Sequence, residues 1–408
     1  MSSQTHANQV LPDQALSSQA LPGGIKALGL VSLCMDVASE MIHALLPLFL
    51  VAVLGMGTLA VGFIEGLAEG VALAAKALSG LWSDRLGRRK PLALAGYGLG
   101  ALSKPLFALA SGAGLVLAAR VLDRIGKGLR GAPRDALVAD LCLPGQRERA
   151  YGLRQALDSV GAFLGPLLAI VLMLTTGSYR VVFAVAILPG LLAVGILHFA
   201  VKEGRPPVPA TARGGLWSDL RRLMAPQGLG GSFGRVLALG VLLQLARFSE
   251  AFLLLKAADV GLAPAWAPLV MVVMNVCYAG CSARAGRLAP SLGRRRMLAL
   301  SLLLLVAADL ALARATGWGL LAAGVALWGL HMGLSQGLLA AMVADSAQPE
   351  RRGTAFGLFH LAGGLATLAA SLLAGGLWQA FGAGATFLAG ALLATMALLA
   401  LAAVNAAG

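Results

Sequence analysis

Charge is scarce in this chain. Only 12% of its 408 residues are Asp, Glu, Lys or Arg, where a soluble domain carries about a quarter. A soluble globular protein is thereby excluded. The four cysteines (Cys34, Cys142, Cys277 and Cys281) are scattered through apolar stretches at spacings that fit neither a zinc site nor a disulfide framework. Cys277 and Cys281 stand one helical turn apart and read as packing residues. No Walker-type phosphate loop is present, which argues against ATP-driven pumping. His43, His198, His331 and His360 are dispersed without ligand spacing, so no metal site, cofactor or catalytic centre is expected, and the chain does not read as an enzyme. The alternating segments of a β-barrel are missing as well. Residues 1–24 are polar but lack the basic start of a signal peptide, and are expected to form a cytoplasmic tail.

Apolar residues make up 58% of the chain, in runs of about 20 that suffice to cross a roughly 30 Å hydrocarbon core. Twelve spans can be drawn, at about 26–53, 58–82, 91–111, 114–138, 149–174, 179–201, 234–258, 264–285, 297–315, 318–344, 353–378 and 383–405. The fold class is therefore an all-α polytopic membrane protein embedded in the lipid bilayer. The expected organisation is a tail (1–24), a six-helix bundle (25–201), a cytoplasmic central loop (202–233) and a second six-helix bundle (234–408). Within the central loop, Leu216 to Met224 is amphipathic enough to lie on the membrane surface.

Net charge is +14, yet no nucleic-acid partner is expected, because the excess cations crowd short loops on one side. Arg85, Arg88, Arg89 and Lys90 fall in one such loop, and Arg147 with Arg149 in the next. Arg287, Arg294, Arg295 and Arg296 follow, then Arg351 and Arg352. Positive loops stay cytoplasmic, so both termini are expected inside, at the cell inner (plasma) membrane.

The halves repeat. Ala-Leu-Val-Ala-Asp at 136–140 matches Ala-Met-Val-Ala-Asp at 341–345, and Pro144, Arg147, Gly152 and Leu153 match Pro349, Arg352, Gly357 and Leu358. Leu86-Gly87-Arg88-Arg89 reappears, one residue out of that register, as Leu292-Gly293-Arg294-Arg295. Duplicated bundles around a central site suit alternating access better than a channel.

Against this apolar background, the stretch from Arg120 to Asp140 carries five cations and three carboxylates. At about 100° per residue, Arg120, Arg124, Lys127, Arg130 and Arg134 form a basic stripe on one face of the fourth helix. Intramembrane charges face a protein interior or a watery cavity and mark function. Carboxylates stand ready on neighbouring helices: Asp36 and Glu40 with His43 on the first, Glu65 and Glu69 with Lys76 on the second, and Asp158 beside Arg154 on the fifth. With Lys104, Asp123, Asp135 and Asp140, these segments set eight cations against eight carboxylates. The proton-coupling candidates are Asp36, Glu40, Glu65, Glu69, Asp123 and Asp158, with Asp36 and Glu69 foremost. The substrate or charge-network candidates are Arg120, Arg124, Lys127, Arg130, Arg134, Arg154, Arg247, Glu250, Asn275, Trp328, His331 and Gln336. In the sparse second half, Arg247 and Glu250 are three apart and expected to pair with each other.

The loop Gly-Leu-Trp-Ser-Asp-Arg-Leu-Gly-Arg-Arg-Lys at 80–90 resembles the signature of the major facilitator superfamily, between the second and third helices. Gly161-Ala-Phe-Leu-Gly165-Pro166 resembles that family's antiporter motif, although Ala169-Ile170 replace its usual Gly-Gly. Asp-Arg-Ile-Gly-Lys-Gly-Leu-Arg-Gly-Ala-Pro-Arg-Asp-Ala at 123–136, together with Ser-Glu-Met-Ile at 39–42, resembles a bacterial and archaeal subgroup of such permeases. The resemblance implies two pseudo-symmetric six-helix bundles and a gating loop of Gly80, Asp84, Arg85, Gly87, Arg88 and Asp140. In it Arg85 and Arg88 would meet Asp140, and Asp84 the start of the eleventh helix. The function expected is proton-coupled efflux of a small organic molecule by a monomer. Proton-coupled uptake of an organic anion or siderophore-like metabolite stays open, as does a transport-inactive sensor or scaffold.

Overall fold

The computed structural model describes residues 20–86, 88–142, 146–203, 231–347 and 352–406. The helices among the described residues form twelve segments. The first six are α1 (Gly23–His43, resumed as Leu46–Leu48 and a π-helical turn Phe49–Val53), α2 (Thr58–Leu86), α3 (Arg89–Leu109), α4 (Ala113–Leu141), α5 (Arg147–Thr176) and α6 (Tyr179–Val185 with Ile187–Ala200). The second six are α7 (Gly231–Ala246, resumed as Ala251–Asp259), α8 (Leu269–Leu292), α9 (Arg294–Arg314), α10 (Trp318–Ser346), α11 (Arg352–Phe381) and α12 (Ala383–Ala406). Ten described segments are long and apolar enough to cross a membrane. Among the remaining two, α4 carries the charged stretch, and α8 contributes the shorter apolar run Leu269–Ser282. The predicted surface helix at 216–224 and most of the predicted tail and central loop lie outside the described residues.

The duplication read from sequence is realised in the helix ends. α3, α4 and α5 start and stop at the same repeat positions as α9, α10 and α11: Arg89 with Arg294, Ala113 with Trp318, Arg147 with Arg352. Gly177 after α5 and Gly382 after α11 both adopt left-handed backbone, with φ of 64° and 86°. Glycine adopts that conformation without a Cβ penalty. Each amide donates to a carbonyl four residues back, Met173 O and Trp378 O, at 2.9 Å.

In the first half α1 packs on α5 and α6, while α4 packs on α2 and α3; in the second, α10 packs on α8 and α9, and α12 on α7 and α9. The halves meet along two seams, α2 with α11 and α5 with α8. Lipid gives apolar helices no hydrophobic reason to associate, so close packing of small residues must hold such seams. A Cβ on Gly66 would stand 2.9 Å from Leu368 Cα, and one on Gly70 3.3 Å from Gly364 O. Thr58 Oγ1 donates to Gly375 O at 3.0 Å. These contacts run from the beginning to the middle of α2 and from the middle to the later turns of α11. They therefore close the end of the bundle opposite the chain termini.

The breaks in α1 and α7 lie on that closed side. Pro47 stands at the start of the resumed α1 helix, where its missing amide is tolerated. In α7 the break is bridged by Ser249, whose amide donates to Ser371 Oγ on α11 at 3.3 Å.

Candidate functional site

Between the halves lies a cavity of about 530 Å³. It extends from the closed end, at Phe248 and Thr367, toward the terminal end, at Lys76, Phe356 and His360. Its two walls differ in chemistry. The first half supplies Glu40, His43, Glu65, Glu69, Lys76, Arg120, Arg124 and Lys127. The second supplies Met271, Met274, Met332, Phe248, Phe356, Phe359 and Tyr278, with Gln244, Arg247, Ser249, Glu250, Asn275, Gln336, His360 and Thr367 as its other polar members.

The charged wall is hung on α4, which rises between α2 and α3. Arg120 Nη2 donates to Glu65 Oε2 at 2.5 Å, both side chains 3% exposed. One turn on, Arg124 Nη1 lies 3.6 Å from Glu69 Oε2. His43 lies 3.7 Å from Glu40 and 3.8 Å from Glu65, tying α1 to α2. Behind the cavity, Lys104 Nζ donates to Asp123 Oδ1 at 2.7 Å, sealed between α3 and α4. Glu69 is 43% exposed, against 20% for Glu40 and 3% for Glu65. It is thus the member of this chain of carboxylates most open to the cavity. Lys76 and Lys127 are exposed and make no ion pair within 4.0 Å among the described residues.

The basic stripe predicted on α4 therefore splits. Arg120, Arg124 and Lys127 line the cavity, whereas Arg130 lies 5.0 Å over the Tyr97 ring on α3. Arg134 pairs with Asp135 at 3.1 Å and reaches Ser32 on α1 at 3.4 Å. Arg154 and Asp158 form the expected pair at 2.5 Å, and Arg154 also lies 3.7 Å from Asp135. Asp36 has neither hydrogen bond nor ion pair among the described residues and does not line the cavity. Gly161 of α5 presses on it, a Cβ there standing 2.9 Å from Asp36 Cβ, and Gly165 presses likewise on Glu40 at 2.7 Å. The small residues of that motif let α5 approach the acidic face of α1.

In the second half, Arg247 and Glu250 both line the cavity but do not form the expected ion pair within 4.0 Å. The helix breaks between Ala246 and Ala251, so three-residue spacing no longer stacks them. Asn275 Nδ2 donates across the α5–α8 seam to Ala162 O at 3.3 Å, and Tyr278 Oη donates to Gln336 Oε1 at 3.2 Å. Trp328 and His331 face away from the cavity. His331 is 1% exposed and bonded to Ser301 on α9 at 2.8 Å, and Trp328 is fully buried beside Phe248.

At the terminal end, Asp140 is met by Arg89 at 2.6 Å rather than by Arg88. Arg89 opens α3, so its side chain projects back over α4 and also reaches Ala136 O at 2.8 Å. Arg294 and Asp345, the repeat-related positions, form the corresponding pair in the second half. The side chains of Gly80, Asp84 and Arg85, all of Gly87, and the side chains at the start of α11 lie outside the described residues. The methionine and phenylalanine members of the apolar wall went unpredicted: inside a continuously apolar helix they carry no contrast with lipid-facing neighbours.

The sequence profile of the Major Facilitator Superfamily matches residues 28–255 and 236–406. An uncharacterised transporter of that type from Methanocaldococcus jannaschii is 30% identical over 396 residues, 95% of this chain and 96% of the relative. A multidrug resistance protein of Proteus mirabilis is 33% identical over 160 residues, 39% of this chain and 40% of that one. Among solved structures, a POT peptide transporter superposes with a TM-score of 0.79 at 14% identity, covering 96% of this chain and 98% of that one. A human organic anion transporter does so at 0.65 and 22%, covering 96% and 99%.

Proposed function

The chain belongs to the major facilitator superfamily and is a membrane transporter, and from that premise we propose that it exports amphipathic organic molecules by proton-coupled alternating access. The observation carrying this reading is the two-walled cavity, which offers charge to a head group and methionine and aromatic surface to an apolar body. Methionine adapts to bodies of differing shape, and a name shared by several partial relatives is that of multidrug resistance proteins. The loop bias in Lys and Arg puts the termini in the cytoplasm, so the cavity faces inward in this conformation. The same bias argues for an inner-membrane location. The six-helix units 25–201 and 234–408 are the moving bodies, and a monomer suffices.

Coupling is assigned to the chain Glu69–Arg124 and Glu65–Arg120 with Glu40 and His43. Glu69 is the exposed end of that chain and holds Arg124 loosely. In export, a basic head group and a proton compete for Glu69: one enters from the cytoplasm, the other from outside. Arg120–Glu65, sealed and short, keeps α2 and α4 moving as one body. The terminal-face pair Arg89–Asp140 belongs to the gating loop that closes when the cavity turns outward.

A second reading, uptake of an organic anion by proton symport, is favoured by Lys76 and Lys127, which make no ion pair among the described residues. Protonating Glu69 would then free Arg124 for the anion instead of competing with it. Proteoliposomes loaded with a pH dye separate the two. Addition of a transported cationic dye such as ethidium moves protons opposite to it under antiport. An organic anion such as para-aminohippurate carries protons with it under symport. Flux of either probe without proton movement overturns the coupling, and binding without flux favours a sensor.

A further inference from the structure

Repeat symmetry exposes a buried group that the cavity does not use. The sealed ion pair of the first half, Lys104 on α3 with Asp123 on α4, falls at repeat positions occupied by Asp309 on α9 and Trp328 on α10. Both are fully buried at 0% exposure. Neither carboxylate oxygen of Asp309, nor the indole nitrogen of Trp328, has a hydrogen-bond partner among the described residues. Where one half neutralises a carboxylate with a lysine, the other holds a carboxylate with no cation.

The groups placed against the Asp309 carboxylate are apolar. α12 presents Gly390, on which a Cβ would stand 2.7 Å from Asp309 Oδ2 and 3.0 Å from Phe248 Cε1. α7 presents Phe248, whose ring lies 5.4 Å from Trp328 and 5.5 Å from Phe387. The charged groups of these elements have other partners or places: His331 on α10 bonds Ser301 and Asp345 pairs with Arg294, while on α7 Arg247 and Glu250 line the cavity and Lys256 pairs with Asp259. α12 carries none. On α8, which touches α9 more lightly, Tyr278 faces Gln336. An ionised carboxylate without a donor in such a setting is the costly form, and such a group neutralises by holding a proton.

Phe248 connects this pocket to transport. It sits in the break of α7, lines the cavity on one face, and packs beside Asp309 on the other. We infer that Asp309 is a second proton-binding site, closed in this conformation by the Phe248 ring and opened to proton release when α7 reorients. The inference rests on the proton-coupled reading above and adds a site in the half that lacks the charged wall.

Infrared spectroscopy on the purified full-length protein tests the first part without any ligand. A carboxylic-acid carbonyl band at neutral pH that disappears in Asp309→Asn is expected, with a melting temperature close to wild type because the amide mimics the neutral acid. Phe248→Ala should speed hydrogen–deuterium exchange of that band. Absence of the band, or its survival in Asp309→Asn, overturns the proposal, and unchanged exchange in Phe248→Ala removes the gate. The second part is read from distances between site-specific labels on the terminal-face ends of α4 and α10 as pH is varied. One linked proton changes the inward-to-outward ratio by at most about tenfold per pH unit. Asp309→Asn should flatten that slope and favour the conformation described here. A slope unchanged by Asp309→Asn sinks Asp309 while leaving Glu69 coupling intact, whereas a wild type with no slope sinks proton coupling altogether.

Discussion

Helices α3–α5 of the first half and α9–α11 of the second share lengths and end positions, and differ in what they carry. The first half spends its interior on ion pairs gathered by α4. The second fills equivalent positions with apolar and aromatic side chains, as where Arg120 becomes Val325 and Lys127 becomes Met332. Backbone architecture was thus kept while the side-chain chemistry diverged. A charged wall is costly to build in a membrane unless every member finds a partner. Concentrating it in one half leaves the other free to vary its apolar surface.

Removing one member of a sealed pair should break that contrast most severely. Arg120→Leu leaves Glu65 buried with only His43 at 3.8 Å in place of its guanidinium, a loss of about 3 kcal/mol expected to appear as a sharp drop in melting temperature. The double variant Arg120→Leu with Glu65→Leu should recover most of the melting temperature but not transport. Recovery of both would reduce the pair to packing.

Glu69→Gln comes next. Because Glu69 is exposed and only loosely paired, stability should hardly change, while pH-gradient-driven ethidium flux falls by roughly tenfold or more, in the range general for a proton-transfer group. Exchange of ethidium without a gradient should persist at a raised half-saturating concentration, because the head group loses its carboxylate but keeps the apolar wall. Loss of both activities at saturating ethidium would leave Glu69 a binding residue with no separate part in coupling.

On the apolar wall, Phe359→Ala should weaken ethidium binding by about tenfold, corresponding to roughly 1.4 kcal/mol for part of an aromatic burial, with the number of protons moved per molecule unchanged. A change in that number instead would mean the walls do not divide labour. The smallest effects belong to the terminal face. Asp140→Asn removes a half-buried pair and should lower stability by up to about 1 kcal/mol. Asp345→Asn, whose partner Arg294 is as exposed as itself at 50% and 54%, should be silent in a melt. Equal effects would show that the two terminal-face pairs are equivalent after all.

Much of this was legible beforehand for a physical reason. Membrane helices must be long, apolar and internally hydrogen-bonded, so the chain announces them, and a duplication leaves matching loops. The balance of eight cations with eight carboxylates was readable too, because an unpaired ion in lipid is costly. Pairing within the set was less so. Arg154 with Asp158 followed from helical spacing, but Arg247 with Glu250 failed because a helix break intervenes. Arg89 rather than Arg88 meets Asp140 because the start of α3 sets the direction of its side chain.

Sequence by itself determined that the chain crosses the membrane many times, that it is a duplicated helical bundle, and that its first half holds the charge. Hydrocarbon length and the cost of unpaired ions force those features into composition and pattern. Tertiary structure alone decided which face of each helix meets the cavity and where α1 and α7 break. It also set Asp309 beside Phe248 with no counter-ion among the described residues. Those outcomes depend on how helices rotate against one another, and a uniformly apolar helix carries no record of its rotation in the order of its residues.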